Sequence, residues 1–252
     1  MKLTGNTILI TGGGSGIGRG LAKELHALGN KVIIAGRRRQ LLEAVVAENQ
    51  GMKFVVLDME DAASIARVAG ELSKDYPALN MLVNNAGIMR AEALREQPLE
   101  DAEAIVRTNL LGPIRLTAAL LPLLAKQAYS AIVNVSSGLA FVPLSLTPTY
   151  CATKAALHSY TQSLRYQLQR TAIEVVELIP PYVATELMNG AEDPRAMPLD
   201  EFIAEVMLIL KTHPEVKEIC VERVKGMRFA AESGKYDAVF SGLNEAMAKL
   251  PE

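Results

Sequence analysis

Tyr150 and Lys154 stand four residues apart in the run Tyr150-Cys151-Ala152-Thr153-Lys154-Ala155-Ala156-Leu157. In a helix that spacing puts both side chains on one face. A free tyrosine titrates near ~10 and is a poor base at neutrality. A neighbouring ammonium favours the tyrosinate, as does the positive charge of an oxidised nicotinamide. Such a pair can pass a proton to or from a carbonyl oxygen. A second group of residues, Thr11-Gly12-Gly13-Gly14-Ser15-Gly16-Ile17-Gly18, follows a short apolar run and opens an amphipathic one. Gly12 permits a turn off a strand, Gly16 lets backbone approach a pyrophosphate, and Gly18 lets a helix pack close to a sheet. Ser15 and Ile17 lie within the same turn, where a helix N-terminus offers unpaired N–H groups to phosphate.

These groups need a scaffold, and the chain alternates β-rich and helical patterns. Seven runs rich in Val, Ile and Leu recur at 7–11, 31–35, 53–57, 79–83, 131–135, 174–179 and 218–224. Most are continuously apolar, as strands covered on both faces are. Between them Ile17, Leu21, Leu25 and Leu28 repeat at helical spacing. So do Ile65, Val68 and Leu72 behind a cap at Asp61, and Leu157, Leu164 and Leu168 with Tyr160 beside them. Strand and helix in alternation predict parallel pairing and right-handed crossovers. The expected fold is a single α/β domain over 1–252, a three-layer doubly wound Rossmann fold with a seven-stranded parallel sheet. An irregular stretch from Pro180 to Pro198 holds four of the twelve prolines. It is expected to form a substrate lid at about 182–200.

Composition excludes several classes. The 252 residues carry a net charge of −2, so no basic field for nucleic acid exists. Cys151 and Cys220 are far apart, and the histidines His26, His158 and His213 are isolated, so no metal site is expected. His158 is expected to be an ordinary helix residue. No leader and no apolar stretch of ~18 residues is apparent, which points to a cytoplasmic protein.

Dinucleotide-binding folds that take NAD place an acid near the end of the second strand to hold the ribose 2′-hydroxyl. Here that place reads Ala35-Gly36-Arg37-Arg38-Arg39. Guanidinium groups suit phosphate oxygens. NADP(H) is therefore expected over NAD(H), with Arg37 and Arg38 on the 2′-phosphate and Arg39 at the surface.

The T-G-x-x-x-G-x-G spacing, with Asn84-Asn85-Ala86-Gly87, Asn109, Ser136-Ser137 and Tyr150-x-x-x-Lys154 in that order, resembles the short-chain dehydrogenase/reductase family in its ~250-residue branch. The resemblance runs from residue 3 to about residue 190. It implies a small-molecule carbonyl or alcohol substrate. Tyr150 would be general acid/base, and Lys154 would lower its pKa and bind the nicotinamide ribose. Ser137 would hold the substrate oxygen, and Asn109 a water in a proton relay. It further implies that Asp58 meets the adenine amine with Met59 beside it, and that Asn85, Ala86 and Gly87 lie along the adenosine ribose. Asn84 is expected to brace the sheet. The family often has P-G-x-V-x-T after the sixth strand. This chain has Pro180-Pro181-Tyr182-Val183-Ala184-Thr185, with Pro181 in place of the glycine. Pro180, Val183 and Thr185 would still meet the nicotinamide carboxamide. Pocket candidates are Leu139, Val142, Thr149, Tyr182, Leu187 and Met188, which imply a medium-sized, mainly apolar ketone or aldehyde. The first residues and the C-terminal stretch resemble a bacterial subgroup encoded with D-alanyl-lipoteichoic acid genes. A homodimer or homotetramer is implied, packing through Ala118, Ala119, Ala155 and Leu164. Two other functions stay open: a non-catalytic NADP(H) sensor on the same fold, and a sugar epimerase or dehydratase. The second usually needs a larger C-terminal domain.

Overall fold

The computed structural model describes residues 1–93, 95, 99–187 and 193–248. Seven strands form one parallel sheet: β1 (Thr7–Thr11), β2 (Lys31–Gly36), β3 (Lys53–Val56), β4 (Met81–Asn84), β5 (Ser130–Val135), β6 (Ile173–Ile179) and β7 (Glu218–Cys220). Their order is β3-β2-β1-β4-β5-β6-β7. The chain reverses its direction of travel across the sheet between β1 and β4, which leaves a crevice at the carboxyl ends of the strands there.

Continuous apolarity in the strands has a direct cause. Ile8 and Ile10 pack into one core and Leu9 into the other; Val32 and Ile34 oppose Ile33 and Ala35 in the same way. Successive side chains point to opposite faces, and both faces are covered. Helices α1 (Gly16–Ala27), α2 (Arg39–Glu48) and α7 (Leu199–Thr212) cover one face. Helices α3 (Ala62–Asp75), α5 (Gly112–Leu124) and α6 (Pro148–Leu168) cover the other. The Asp61 carboxylate caps α3 by accepting the Ala63 N–H at 2.8 Å.

Three expectations need correction. The seventh strand ends at Cys220, because residues 222–228 form α8 (Glu222–Arg228). Val221 and Val224 are fully buried three residues apart, so the burial there follows a helical period instead of alternating. Residues 199–200 belong to α7 and not to a lid. The expectation that no stretch of ~18 residues is apolar enough for a membrane span also fails for one helical segment. Helix α4 (Leu99–Val106), a π-helical turn (Arg107–Leu111) and α5 are contiguous. Together they are long and apolar enough to cross a membrane by length and composition, and half of that window is buried within the fold. Its inward side packs on the sheet through Leu116, Leu120 and Leu124.

Candidate active site

The turn from β1 into α1 is built by backbone that only glycine adopts easily. Gly12 has φ +69° and Gly16 +52°. A Cβ on Gly12 would lie 2.8 Å from Asn85 Nδ2, and one on Gly18 2.4 Å from the Gly12 carbonyl oxygen. The first turn of α1 therefore sits directly against the nest and aims its N–H groups into the crevice. The switch point is stitched from the other side. Thr11 Oγ1 accepts the N–H groups of Asn85 and Ala86 at 3.0 Å each, and Asn85 Nδ2 donates to the Thr11 carbonyl at 2.9 Å. Asn84 braces the sheet as expected, donating to Thr117 Oγ1 at 3.0 Å and to Asn134 Oδ1 at 2.8 Å.

A cleft of about 1120 Å³ runs from this nest to Tyr150. Ser15, Gly16, Ile17, Arg37 and Arg38 line its outer end. Arg38 donates to Ser15 Oγ at 3.0 Å and reaches across to Glu186 at 2.9 Å. Arg39 lies outside the cleft, paired with Glu43 and over the Phe54 ring. Met59, Asn85, Ala86 and Gly87 line the middle. Asp58 does not. Its Oδ1 accepts the Glu60 N–H at 3.0 Å, so it organises the turn before α3. Thr108 does line the cleft, and its buried hydroxyl has no hydrogen-bond partner among the described residues. Only its place beside Asn109 marks it in the sequence.

Tyr150, Ser137 and Lys154 meet at the inner end. Tyr150 is buried and hydrogen-bonded to Ser137. Ser137 Oγ also accepts the Leu139 N–H at 3.1 Å, which fixes the serine at the head of a 3₁₀ turn. Lys154 Nζ lies 5.5 Å from the Tyr150 ring centre and donates to the Val135 carbonyl at 2.8 Å. Burial pulls the Lys154 ammonium down to about 8, against the opposing charge of Glu177. Burial also raises Tyr150 above the ordinary phenol range, against the Ser137 hydrogen bond. Burial favours the protonated phenol, so the expected lowering by Lys154 and an oxidised nicotinamide would have to work against it. Asn109 sits in the π-helical turn. Its side chain is committed to Ile88, accepting that residue's N–H at 2.8 Å and donating to its carbonyl at 2.8 Å. Gly87 lies between Asn109 and Lys154; a Cβ there would stand 3.4 Å from Asn109 Oδ1 and 3.7 Å from Lys154 Nζ.

Beyond Tyr150 the wall is apolar. Leu139, Tyr182 and Leu187 line it as expected. Val142 does not; it is fully buried beneath the 3₁₀ turn. Thr149 is turned away, donating its hydroxyl to Glu92 at 2.7 Å. Met188 lies outside the described residues. The rest of the wall comes from Met227 of α8 and from Leu243 and Met247 of α9 (Tyr236–Ala248), which sequence reading missed. Phe240, Leu243 and Met247 recur at three and four and were the available signal. Asn244 moors α9 by accepting the Ser145 N–H at 2.7 Å and donating to the Pro143 carbonyl at 3.2 Å. Arg195 holds it from the other side at the Ala246 carbonyl, while its Nη2 pairs with Asp193 at 2.6 Å. That guanidinium keeps the Asp193 carboxyl well below the usual carboxylate range.

Pro180, Val183 and Thr185 line the cleft as well. Pro181 leaves the backbone intact here. The Pro180 carbonyl accepts the Gly138 N–H at 2.9 Å, and the loop is pinned at its base where Ala184 N–H meets the Met197 carbonyl and Met197 N–H the Tyr182 carbonyl, both at 2.8 Å.

The profile of the short chain dehydrogenase family matches residues 6–196. An oxidoreductase of Bacillus subtilis, DltE, is 41% identical over 252 residues, covering 97% of this chain and 98% of that protein. A short chain dehydrogenase from Burkholderia cenocepacia in complex with NADP superposes with a TM-score of 0.81 at 25% identity, over 96% of this chain and 99% of that one. A 3-ketoacyl-(acyl-carrier-protein) reductase from Brucella melitensis complexed with NADH gives 0.78 at 27% identity, over 88% of this chain and all of the other. With Tyr150, Ser137 and Lys154 gathered at the end of a glycine-lined crevice, the chain belongs to the short-chain dehydrogenase/reductase family of oxidoreductase enzymes.

Proposed function

We propose that the protein interconverts a carbonyl and an alcohol with NADP(H) as its hydride carrier. The observation that carries this reading is the buried Tyr150–Ser137 hydrogen bond, beside Lys154, at the inner end of the cleft that begins at Gly12. A dinucleotide suits the residues present. The crevice has no room for a Cβ at Gly12 or Gly18, and Thr108 offers a buried hydroxyl without a partner among the described residues. Gly12, Ser15, Gly16 and Ile17 would take the pyrophosphate, with Gly18 setting the close approach of α1. Arg37 and Arg38 would take the 2′-phosphate. Met59, Asn85, Ala86, Gly87 and Thr108 would flank the adenosine, and Pro180, Val183 and Thr185 the carboxamide. When bound, the reduced nicotinamide supplies the hydride and the oxidised form accepts it.

The protein's own residues manage the proton. Tyr150, held protonated by burial, gives its phenolic proton to the carbonyl oxygen, and Ser137 holds that oxygen by its hydroxyl. Lys154 faces the tyrosine as an ammonium and would bind ribose hydroxyls. The Asn109 side chain is occupied by Ile88, so a relay water there would rest on the Asn109 main-chain carbonyl. Leu139, Leu187, Met227, Leu243 and Met247 favour an apolar ketone or aldehyde, with Tyr182, Pro194 and α9 as covers that would exclude water. Self-association would use the outer faces of α5 and α6. Ala118, Ala119 and Ala155 are exposed there, whereas Leu164 belongs to the core. Light scattering tests that part.

The test of the reaction is NADPH oxidation against a panel of aldehydes and ketones of graded apolar size, with Tyr150→Phe as control. Loss of one general acid costs about 10²–10⁴ in turnover, and NADPH binding should survive. Tight NADPH binding with no turnover across the panel would turn the reading to a sensor. Turnover that survives Tyr150→Phe would overturn the mechanism.

A further inference from the structure

Glu177 lies on β6 in the run Val175-Val176-Glu177-Leu178, and its side chain is fully buried. An isolated carboxylate in such a place is costly, so its partners matter. Glu177 Oε1 accepts the Ser136 hydroxyl at 2.5 Å, and Oε2 is 2.8 Å from His158 Nδ1. Ser136 immediately precedes Ser137. His158 is one helical turn beyond Lys154 on α6 and so shares its face. The carboxylate thus sits behind both halves of the site, bound to the residue next to Ser137 and facing the helix that carries Tyr150 and Lys154.

The charges around it are few. From α6 it meets His158 directly and acts on Lys154, one turn away, through its charge. From β7 come Glu218 and Cys220, and from α8 Arg228, whose Nε holds Glu218 at 2.7 Å. His158, Glu177 and Glu218 bring ligand atoms within 4.8 Å of one another. Arg228 already occupies Glu218, and its guanidinium stacks over Phe141, which meets the His158 ring edge-on at 4.7 Å. The outward end of the cluster is therefore closed by Arg228. Inward, the Glu177 charge opposes the loss of the ammonium of Lys154, one turn from His158 on α6.

We propose that Glu177 is a positioning residue of the reaction: its buried carboxylate ties Ser136 beside Ser137 and supplies the counter-charge that keeps Lys154 an ammonium. The proposal rests on the role given to Lys154 above. Its consequence is a site whose lysine stays charged in a pocket that burial would otherwise neutralise.

Glu177→Gln tests it. The amide keeps the shape, can accept from Ser136 and can donate to His158, so only the charge is lost. The readout is the titration of the Lys154 ε-carbon by NMR with labelled lysine between pH 6 and 10 in the protein alone, the signal being identified by its loss in Lys154→Met. The Lys154 midpoint should fall by about one pH unit or more from its wild-type position near 8. The pH at which carbonyl reduction declines should fall with it. Glu177→Asp, which retains the charge, should restore most of the midpoint. An unmoved midpoint in Glu177→Gln overturns the proposal, and does so whether or not Tyr150 is the acid. A shifted midpoint with no carbonyl reduced leaves this coupling standing and removes the proposed function instead. Ser136→Ala, which keeps the carboxylate, serves should Glu177→Gln fail to fold. Its midpoint should stay at or above the wild type, and a fall would show that Lys154 follows packing and not charge.

Discussion

If NADP(H) is the carrier as proposed, cofactor choice turns on Arg38, and its partners give the size of the effect. In the protein alone its guanidinium is held by Glu186 at 2.9 Å and Ser15 at 3.0 Å, and the Arg38 and Glu186 side chains are 61% and 62% exposed. An ion pair this open is worth about 0.2–1 kcal/mol. A hydrogen bond to a charged group such as a 2′-phosphate is worth about 1.5–3 kcal/mol. Exchanging Glu186 for the phosphate therefore nets on the order of 1.5 kcal/mol, about tenfold in affinity. Arg38→Ala should raise the Kd for NADPH about tenfold and change that for NADH, which has only a 2′-hydroxyl, less than about twofold. Glu186→Gln should act the other way, because it frees Arg38. NADPH should bind tighter by at most about fivefold, the whole worth of the pair. In the Arg38→Ala background the Glu186 effect should shrink to residual repulsion, screened over about 8 Å at physiological salt. Calorimetric titration of both cofactors into the four proteins at one ionic strength reads all of this. Equal losses for NADPH and NADH in Arg38→Ala would refute the 2′-phosphate role. Weaker NADPH binding in Glu186→Gln would refute the competition and make Glu186 a support of the loop.

Gly18→Ala must push a methyl against the Gly12 carbonyl at 2.4 Å, and backbone on both sides resists; a stability loss of about 1–3 kcal/mol by denaturant titration is expected, with NADPH affinity falling alongside. Burial lowers Lys154 from 10.5 to about 8. Keeping it charged costs the fold on the order of 3 kcal/mol below pH 8, and the cost fades as pH rises from 8 to 10.5. Lys154→Met escapes that cost but orphans the Val135 carbonyl, so it should melt roughly 3–6 °C above the wild type at pH 7, with the gap closing at about pH 9–10 and reversing by pH 10.5, while turnover is lost. Asp61→Ala removes the α3 cap and should cost about 1 kcal/mol with cofactor affinity unchanged, read by melting and titration together.

What was legible in the sequence was what short spacing decides. Gly12 and Gly18 clash with their surroundings through neighbours that the strand–turn–helix geometry dictates, so the motif alone located the nest. Tyr150 and Lys154 share a face because four residues nearly complete a turn. Alternating cores explain why Ile8, Leu9 and Ile10 read as one apolar run. The missed features depend on where distant strands end. Arg38 meets Glu186 across 148 residues, and Asn244 meets Ser145 across 99, so no local pattern announces either contact. Asp58 is ambiguous in sequence because a carboxylate three residues ahead of a helix cap serves either a ligand or the turn itself; the structure shows its Oδ1 accepting the Glu60 N–H at 3.0 Å. Glu177 is the instructive case. A strand covered on both faces has no solvent side, so a charge inside an unbroken apolar run has nowhere to go but to partners. That anomaly was visible in Val175-Val176-Glu177-Leu178. Its partners were not, because the register of β5 against β6, Asn134 beside Glu177, is what brings Ser136 and the Lys154–His158 face of α6 to the same carboxylate.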